Sequence, residues 1–262
     1  MIAVPKSYSM LARTGPAAIA ICAVLLAWQF YADLSGISST TLPSPLRVVE
    51  QAWANRHALW ENTLPTVRAT LLGFACSLTA AFVLSILMDF STTLRRALFP
   101  VFIISQTLPL VAIAPLVVLW FGFGLVPKIM LVALVTFFPM LVALVQGYES
   151  TEMEIALLLR SMGAKRWRSF WLARLPSALP FFFAGLRISI TYAVVGAIFA
   201  EYAGAARGLG IFILNAKNNF RPDLVLAAVG VSAMLTLLLF GATVLTQRLA
   251  TPWLRFEGKQ AR

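Results

Sequence analysis

The chain alternates long apolar runs with short polar joints. Six runs, at about residues 17–34, 63–88, 99–121, 126–145, 179–203 and 224–245, are each about 20 residues long. That length of helix crosses the roughly 30 Å hydrocarbon core of a bilayer, so the pattern predicts six membrane spans. The first run has basic residues before it, Lys6 and Arg13, and imitates a signal peptide. It is too long for one, and it closes on Trp28, Phe30, Tyr31 and Asp33, the aromatic-then-charged edge of a span. In the polar stretch that follows, Leu42-Pro43-Ser44-Pro45 reads as a rigid extended piece. Pro45 is expected at the first turn of a short surface helix ending near Asn55.

Composition excludes a water-soluble globule. Of 262 residues 60% are hydrophobic and 12% charged, where a soluble domain is about a quarter charged. The fold class is therefore all-α and polytopic, a single transmembrane domain over 1–262 with its core at about 40–250. The net charge of +11 would suggest nucleic acid in a soluble protein, but here it reads as topology. Under the six-span scheme one side collects thirteen Lys and Arg, at the N-terminus, Arg95, Arg96, the stretch 160–174 and the tail with Arg248, Arg255, Lys259 and Arg262. The other side holds six: Arg47, Arg56, Lys128, Arg207, Lys217 and Arg221. The positive-inside rule makes the richer side, with both termini, cytoplasmic. Cys22 and Cys76 fall in apolar runs and read as small core hydrophobes, and a single histidine, His57, reads as a loop residue unable to build a zinc site.

Prolines 100, 109, 115, 127 and 139 crowd the third span and the hairpin beside it. Each interior proline removes a backbone hydrogen bond, which suits helices lining something other than lipid; structural kinks are the plainer alternative. The longest cytoplasmic connection, about 149–178, is patterned. Residues 154–162 are helix formers, Gly163-Ala164 is a stop, and 165–174 alternates basic with aromatic residues, as expected of a helix at headgroup level.

At this connection the sequence resembles the membrane-spanning permease subunits of binding-protein-dependent ABC importers. Their hallmark runs Glu-Ala-Ala, three residues, Gly, nine residues, Ile, one residue, Leu-Pro. Gly163 and Leu175-Pro176 keep that separation, with Ala173 at the Ile position. Leu42-Pro43-Ser44-Pro45, Trp120-Phe121-Gly122-Phe123-Gly124, Gly185-Leu186-Arg187 and Glu201-Tyr202 followed by Gly208-Leu209-Gly210 are similar to the branch serving nitrate, sulfonates, taurine and vitamin precursors. The resemblance implies a type I importer permease of the bacterial inner membrane. It implies a homodimer, cytoplasmic ABC ATPase subunits and a periplasmic or extracellular solute-binding protein as partners. It also implies that the segment through Leu157, Leu158, Leu159, Gly163 and Ala164 docks on the ATPase. The motif acid is absent, since leucines fill its three positions, and Glu154, one turn earlier, is expected to take over part of its role.

The sequence has no Gly-x-x-x-x-Gly-Lys-Ser/Thr loop, so ATP is expected on another chain and this chain is expected to carry no cofactor and no catalysis. Gly204 to Gly210 reads as a turn into an amphipathic stretch over 211–220, at the outer gate or a binding-protein contact. Intramembrane charges are few. Arg187, about 9 Å into its span at 1.5 Å per residue, Glu201 and Gln106 are the candidate pathway residues, against a plainer reading of snorkelling or ion pairing. Arg68 lies as near the outer edge as Glu201. Among solutes, residues 159–163 and 201–204 look most like carriers of pyrimidine-type thiamine precursors, followed by sulfonate, taurine and nitrate. The competing class is a secondary carrier or channel working without an ATPase.

Overall fold

The computed structural model describes residues 10–252, with side chains from residue 15. Of the charge count above, Lys6, Arg255, Lys259, Arg262 and the side chain of Arg13 lie outside the described residues. The described chain is helical: α1 (Met10–Leu34), α2 (Pro45–Ala54), α3 (Arg56–Phe90), α4 (Thr92–Thr107), α5 (Leu110–Phe121) and α6 (Leu125–Glu149) come first. Then follow α7 (Met153–Ser161), α8 (Arg166–Ser169), a π turn (Phe170–Arg174), α9 (Leu175–Tyr202), α10 (Leu209–Asn218) and α11 (Pro222–Ala250). Five helices are long and apolar enough to cross a membrane, and six spans result if the bent pair α4–α5 counts as one.

Local chemistry explains the boundaries. The Ser44 hydroxyl accepts from the Arg47 N–H at 3.4 Å and Pro45 occupies the first turn, so α2 begins where the sequence pattern places it. The predicted third span is not one rod. It breaks at Leu108-Pro109, both extended (ψ 125° and 119°), and α4 and α5 diverge by 101°. Pro109 has no N–H to continue the ladder and forbids helical geometry at Leu108, so a run that is apolar throughout still turns a corner. The basic–aromatic stretch 165–174 is also not a separate helix. It runs through the π turn into α9 as one 37-residue unit, and the Leu175 N–H reaches the Phe170 carbonyl just before Pro176. With no donor at 176, the wider register is the local solution.

Three helices form the centre. The face of α3 against α6 carries Thr66, Thr70, Gly73, Ser77, Ala81 and Ser85, all buried, a row of small side chains that lets two spans approach. α6 meets α9 as closely: a Cβ at Gly147 would lie 2.7 Å from the Cα of Ala178. α11 packs on α9 and α2. Among the described residues α1 packs chiefly on α2, and nothing in its apolar window is buried. Cys22 and Cys76 are free and exposed on helix faces, not core residues as expected, and His57 lies in the first turn of α3 instead of a loop. One end of the bundle, the α7 end, carries α7, and the opposite end, the α10 end, carries α10.

Candidate functional site

At the α7 end, the short helix is bare. Met153, Leu157, Leu158 and Met162 are 78%, 58%, 60% and 73% exposed, an apolar surface on a nine-residue helix projecting from the bundle. Its stop is a two-bond turn: Gly163 N–H donates to the Arg160 carbonyl (3.0 Å) and Ala164 N–H to that of Leu159 (2.9 Å). Gly163 is at φ +74°, which a side chain resists, and this explains glycine at that position. Of the three leucines at the motif positions, only Leu157 and Leu158 are exposed. Leu159 turns inward and is half-buried, as is Ala164 at the other end of the same turn. Glu154 is exposed in the first turn of α7, three and four residues from Leu157 and Leu158 and so beside them.

What anchors this helix was not read from the sequence. Phe170, with no exposed surface, sits among Phe90, Tyr148, Trp167 and Trp171, with ring centroids 5.2–6.1 Å away. Tyr148 shares a hydrogen bond with Ser85 at 3.2 Å. Arg174 pairs with Asp89, Arg166 donates to the Asp89 carbonyl and lies 5.1 Å over the Phe90 ring, and Arg95 pairs with Glu149. α7 meets α8, and α8 with the π turn is packed through this aromatic block onto α3, α6 and α9. The available signal was Asp89, an acid closing a long apolar run, opposite a segment rich in arginine.

Midway along the bundle, the α4–α5 corner leaves a cavity of about 430 Å³ lined by Ser105, Gln106, Leu108, Val135, Ile188 and Tyr192 among others. Gln106 donates to the Leu134 carbonyl at 3.4 Å. Ile188, Tyr192 and Val195 of α9 are about half exposed beside it, and Val101, Ile104 and Val111 flank the corner with more than half their surface bare. Among the described residues nothing covers this face.

At the α10 end Glu201 is fully buried in a polar knot. Its carboxylate accepts from the Thr66 hydroxyl (2.9 Å) and the Gly210 N–H (2.8 Å), with the Lys128 ammonium at 3.7 Å. Thr66 accepts from the Leu209 N–H, Asn62 accepts from the Gly208 N–H, and Lys128 donates to the Arg207 carbonyl. A Cβ on Gly208, at φ +145°, would run into the Glu201 carboxylate. The loop 204–208 is thus tied to α3 through Asn62 and to α6 through Lys128, and Glu201 of α9 holds Lys128, Thr66 and the Gly210 N–H together beneath it. Arg187 belongs to neither place: it donates to Gln247 of α11. It lies fourteen residues, about 21 Å along the helix, from Glu201. The structure does not gather Arg187, Glu201 and Gln106 into one site, and of the three only Gln106 lines the mid-bundle cavity. Among the described residues no cluster of three or more His, Cys, Asp or Glu fit for a metal exists.

Residues 73–252, from within α3 through α7 and the Glu201 knot to the end of α11, match the family of binding-protein-dependent transport system inner membrane components. The chain belongs to that family. It is an inner-membrane, multi-pass permease of an ABC importer for small solutes. It is 35% identical over 237 residues to the riboflavin transport system permease protein RibX of Chloroflexus aurantiacus, covering 90% of this chain and 88% of that one. It is 34% identical over 231 residues to the formylaminopyrimidine transport permease protein ThiX of Halalkalibacterium halodurans, covering 88% and 92%. The taurine transport system permease protein TauC of Escherichia coli is 32% identical over 252 residues, covering 93% and 91%. An inward-facing MetNI methionine ABC transporter superposes with TM-score 0.59 at 18% identity over 76% of this chain and 97% of that one, a likeness of fold. As a permease of this family, the chain has α1 and α2 outside the matched region.

Proposed function

We propose that two copies of this permease enclose the solute pathway of an ATP-driven importer, with a separate ABC ATPase subunit docked on each α7. ATP is then bound and hydrolysed by the partner, and a solute-binding protein delivers its cargo to the α10 end. In this arrangement the α7 end and both termini are cytoplasmic, in keeping with the basic residues of 160–174. The observation that carries the reading is α7 itself. A helix that ends in a glycine turn, exposes Met153, Leu157, Leu158 and Met162 and abuts α8, which is packed with Phe170, Tyr148 and Asp89 onto three spans, is suited to receive a push. When the ATPase subunits close, the two α7 helices move together and the packed block turns α3, α6 and α9 as a unit, because packed interiors switch between discrete arrangements. The pathway runs along the unpartnered face of the α4–α5 corner and α9, where Gln106 and Tyr192 supply polar groups.

For the solute we propose a pyrimidine-type thiamine precursor. Support comes from similarity to permeases named for formylaminopyrimidine and riboflavin, both nitrogen heterocycles; taurine, sulfonate and nitrate are the other candidates. The test is uptake by proteoliposomes holding the permease, its ATPase and its binding protein. ATP-dependent accumulation of the aminopyrimidine, absent without the ATPase, is the expected result. Equal flux through the permease alone overturns the reading.

A further inference from the structure

A second cleft, of about 530 Å³, opens at the α10 end between α3, the α5–α6 turn and the loop 204–207. Its charged lining is Glu61, Arg68, Lys128 and Arg207. Lys128 is 8% exposed, and two of its three donors are spent on the Arg207 carbonyl and on Glu201, leaving one for the cleft. Glu201 neutralises Lys128 from beneath, so the remaining balance is two arginines against Glu61. Neither guanidinium has a hydrogen bond or ion pair with a described residue, and both are exposed. Arg68 stands near the outer edge of an apolar run, where its long stem can carry the guanidinium into the open cleft. The wall at Gly124-Leu125 is the start of α6, a 25-residue helix whose first N–H groups have no side-chain cap, so its dipole adds to the positive field.

We infer that this cleft binds an oxyanion group, a carboxylate, sulfonate or phosphate, through the forked guanidinium groups of Arg68 and Arg207. Arginine pairs bidentately with planar and tetrahedral oxyanions, and the third Lys128 donor supplies a fixed N–H at the floor. The glycines of the loop take no part, since the N–H groups of Gly204 and Gly208 already serve the Glu201 carbonyl and Asn62. Two sources carry that chemistry: a soluble anion arriving at the mouth of the permease, and an acidic phospholipid headgroup. Leu64 and Phe123, 61% and 82% exposed on the rim, would lie along its chain. Binding here is a property of this chain alone, so its failure leaves the permease reading intact.

The test uses the full chain in nanodiscs. In discs of phosphatidylcholine, millimolar inorganic phosphate and methanesulfonate are titrated against chloride at constant ionic strength while thermal unfolding is followed. In a second set, discs containing phosphatidylglycerol are used and lipid retention is read by native mass spectrometry. Phosphate and sulfonate-type salts affect any protein surface, so the readout is the difference between wild type and variants. Each of Arg68→Gln and Arg207→Gln is expected to weaken apparent binding about tenfold, Arg68→Lys to weaken it less, and Arg56→Gln not at all. Stabilisation by the soluble anions in phosphatidylcholine assigns the site to a solute; retention of phosphatidylglycerol alone assigns it to lipid. If Arg68→Gln/Arg207→Gln, melting as wild type does in chloride, responds to both probes as wild type does, the inference is overturned.

Discussion

Replacing Glu201 by alanine removes the acceptor for Thr66 and Gly210 and strands Lys128 at 8% exposure without its counter-charge. Breaking one side of a buried ion pair costs about 3–5 kcal/mol. Glu201→Gln keeps a carbonyl for the Gly210 N–H but loses the charge, for about 2 kcal/mol. Adding Lys128→Met to Glu201→Gln removes the stranded cation and is expected to restore about 1 kcal/mol or more, a coupling typical of contacting residues. The loop 204–208 hangs on this knot, and exposed Arg207 within it is a trypsin site, so cleavage there reports the opening directly. When opening is fast relative to cleavage, the rate follows the open population. Glu201→Ala is then cut roughly 100-fold faster than wild type or more, and Glu201→Gln about 30-fold. Cleavage at Arg207 in Glu201→Ala at the wild-type rate, or no recovery in the double variant, would refute the argument that Glu201 is the keystone of the knot that holds this loop.

Gly208→Ala combines a disfavoured φ with collision against Glu201, so it should abolish stable insertion, whereas Gly163→Ala meets nothing within 4 Å and pays only about 1–2 kcal/mol of left-handed strain; yields and melting of the purified variants check the contrast. Phe170→Ala empties the centre of the aromatic block at a cost of about 3–5 kcal/mol. It is expected to leave the ATPase bound while transport in proteoliposomes drops at least tenfold. Ile188→Trp, on the open face of α9 and remote from α7, should reduce uptake with ATPase retention unchanged, as measured by co-purification. Pro109→Ala lets the ladder continue through the α4–α5 corner, and lowered uptake with normal membrane levels is the expected outcome.

Local signals in the sequence located most of the helices. Ser44-Pro45, the six apolar runs and Gly163 each state a boundary through capping, hydropathy or backbone freedom, and α2, α7 and the end of α7 lie where those signals put them. The α4–α5 corner was legible only as a proline cluster, because hydropathy is blind to direction and Leu108-Pro109 bends a run that is apolar on both sides. The anchoring of α7 was not legible. Phe170 and Trp167 look like any interfacial aromatics until α3 brings Phe90 and Asp89 beside them from about 80 residues away. Glu201 was singled out as an intramembrane acid, yet its partners Thr66 and Lys128 are distant in sequence, so its tie to the 204–208 loop needed the fold. Leu159 shows the limit of counting along a helix: adjacent leucines differ by about 100° in direction, and only the turn at Gly163 decides which one faces in.

The central claim, that α7 is the surface through which a separate ATPase drives this permease, is tested most directly by cross-linking. In a Cys22→Ser, Cys76→Ser background, Leu158→Cys at the α7 end and Ala206→Cys at the α10 end are labelled with a maleimide photo-cross-linker in the assembled, transporting complex. An adduct between Leu158→Cys and the ATPase is expected, and none from Ala206→Cys. A transporting complex in which Leu158→Cys captures no ATPase, or in which Ala206→Cys does, would contradict it.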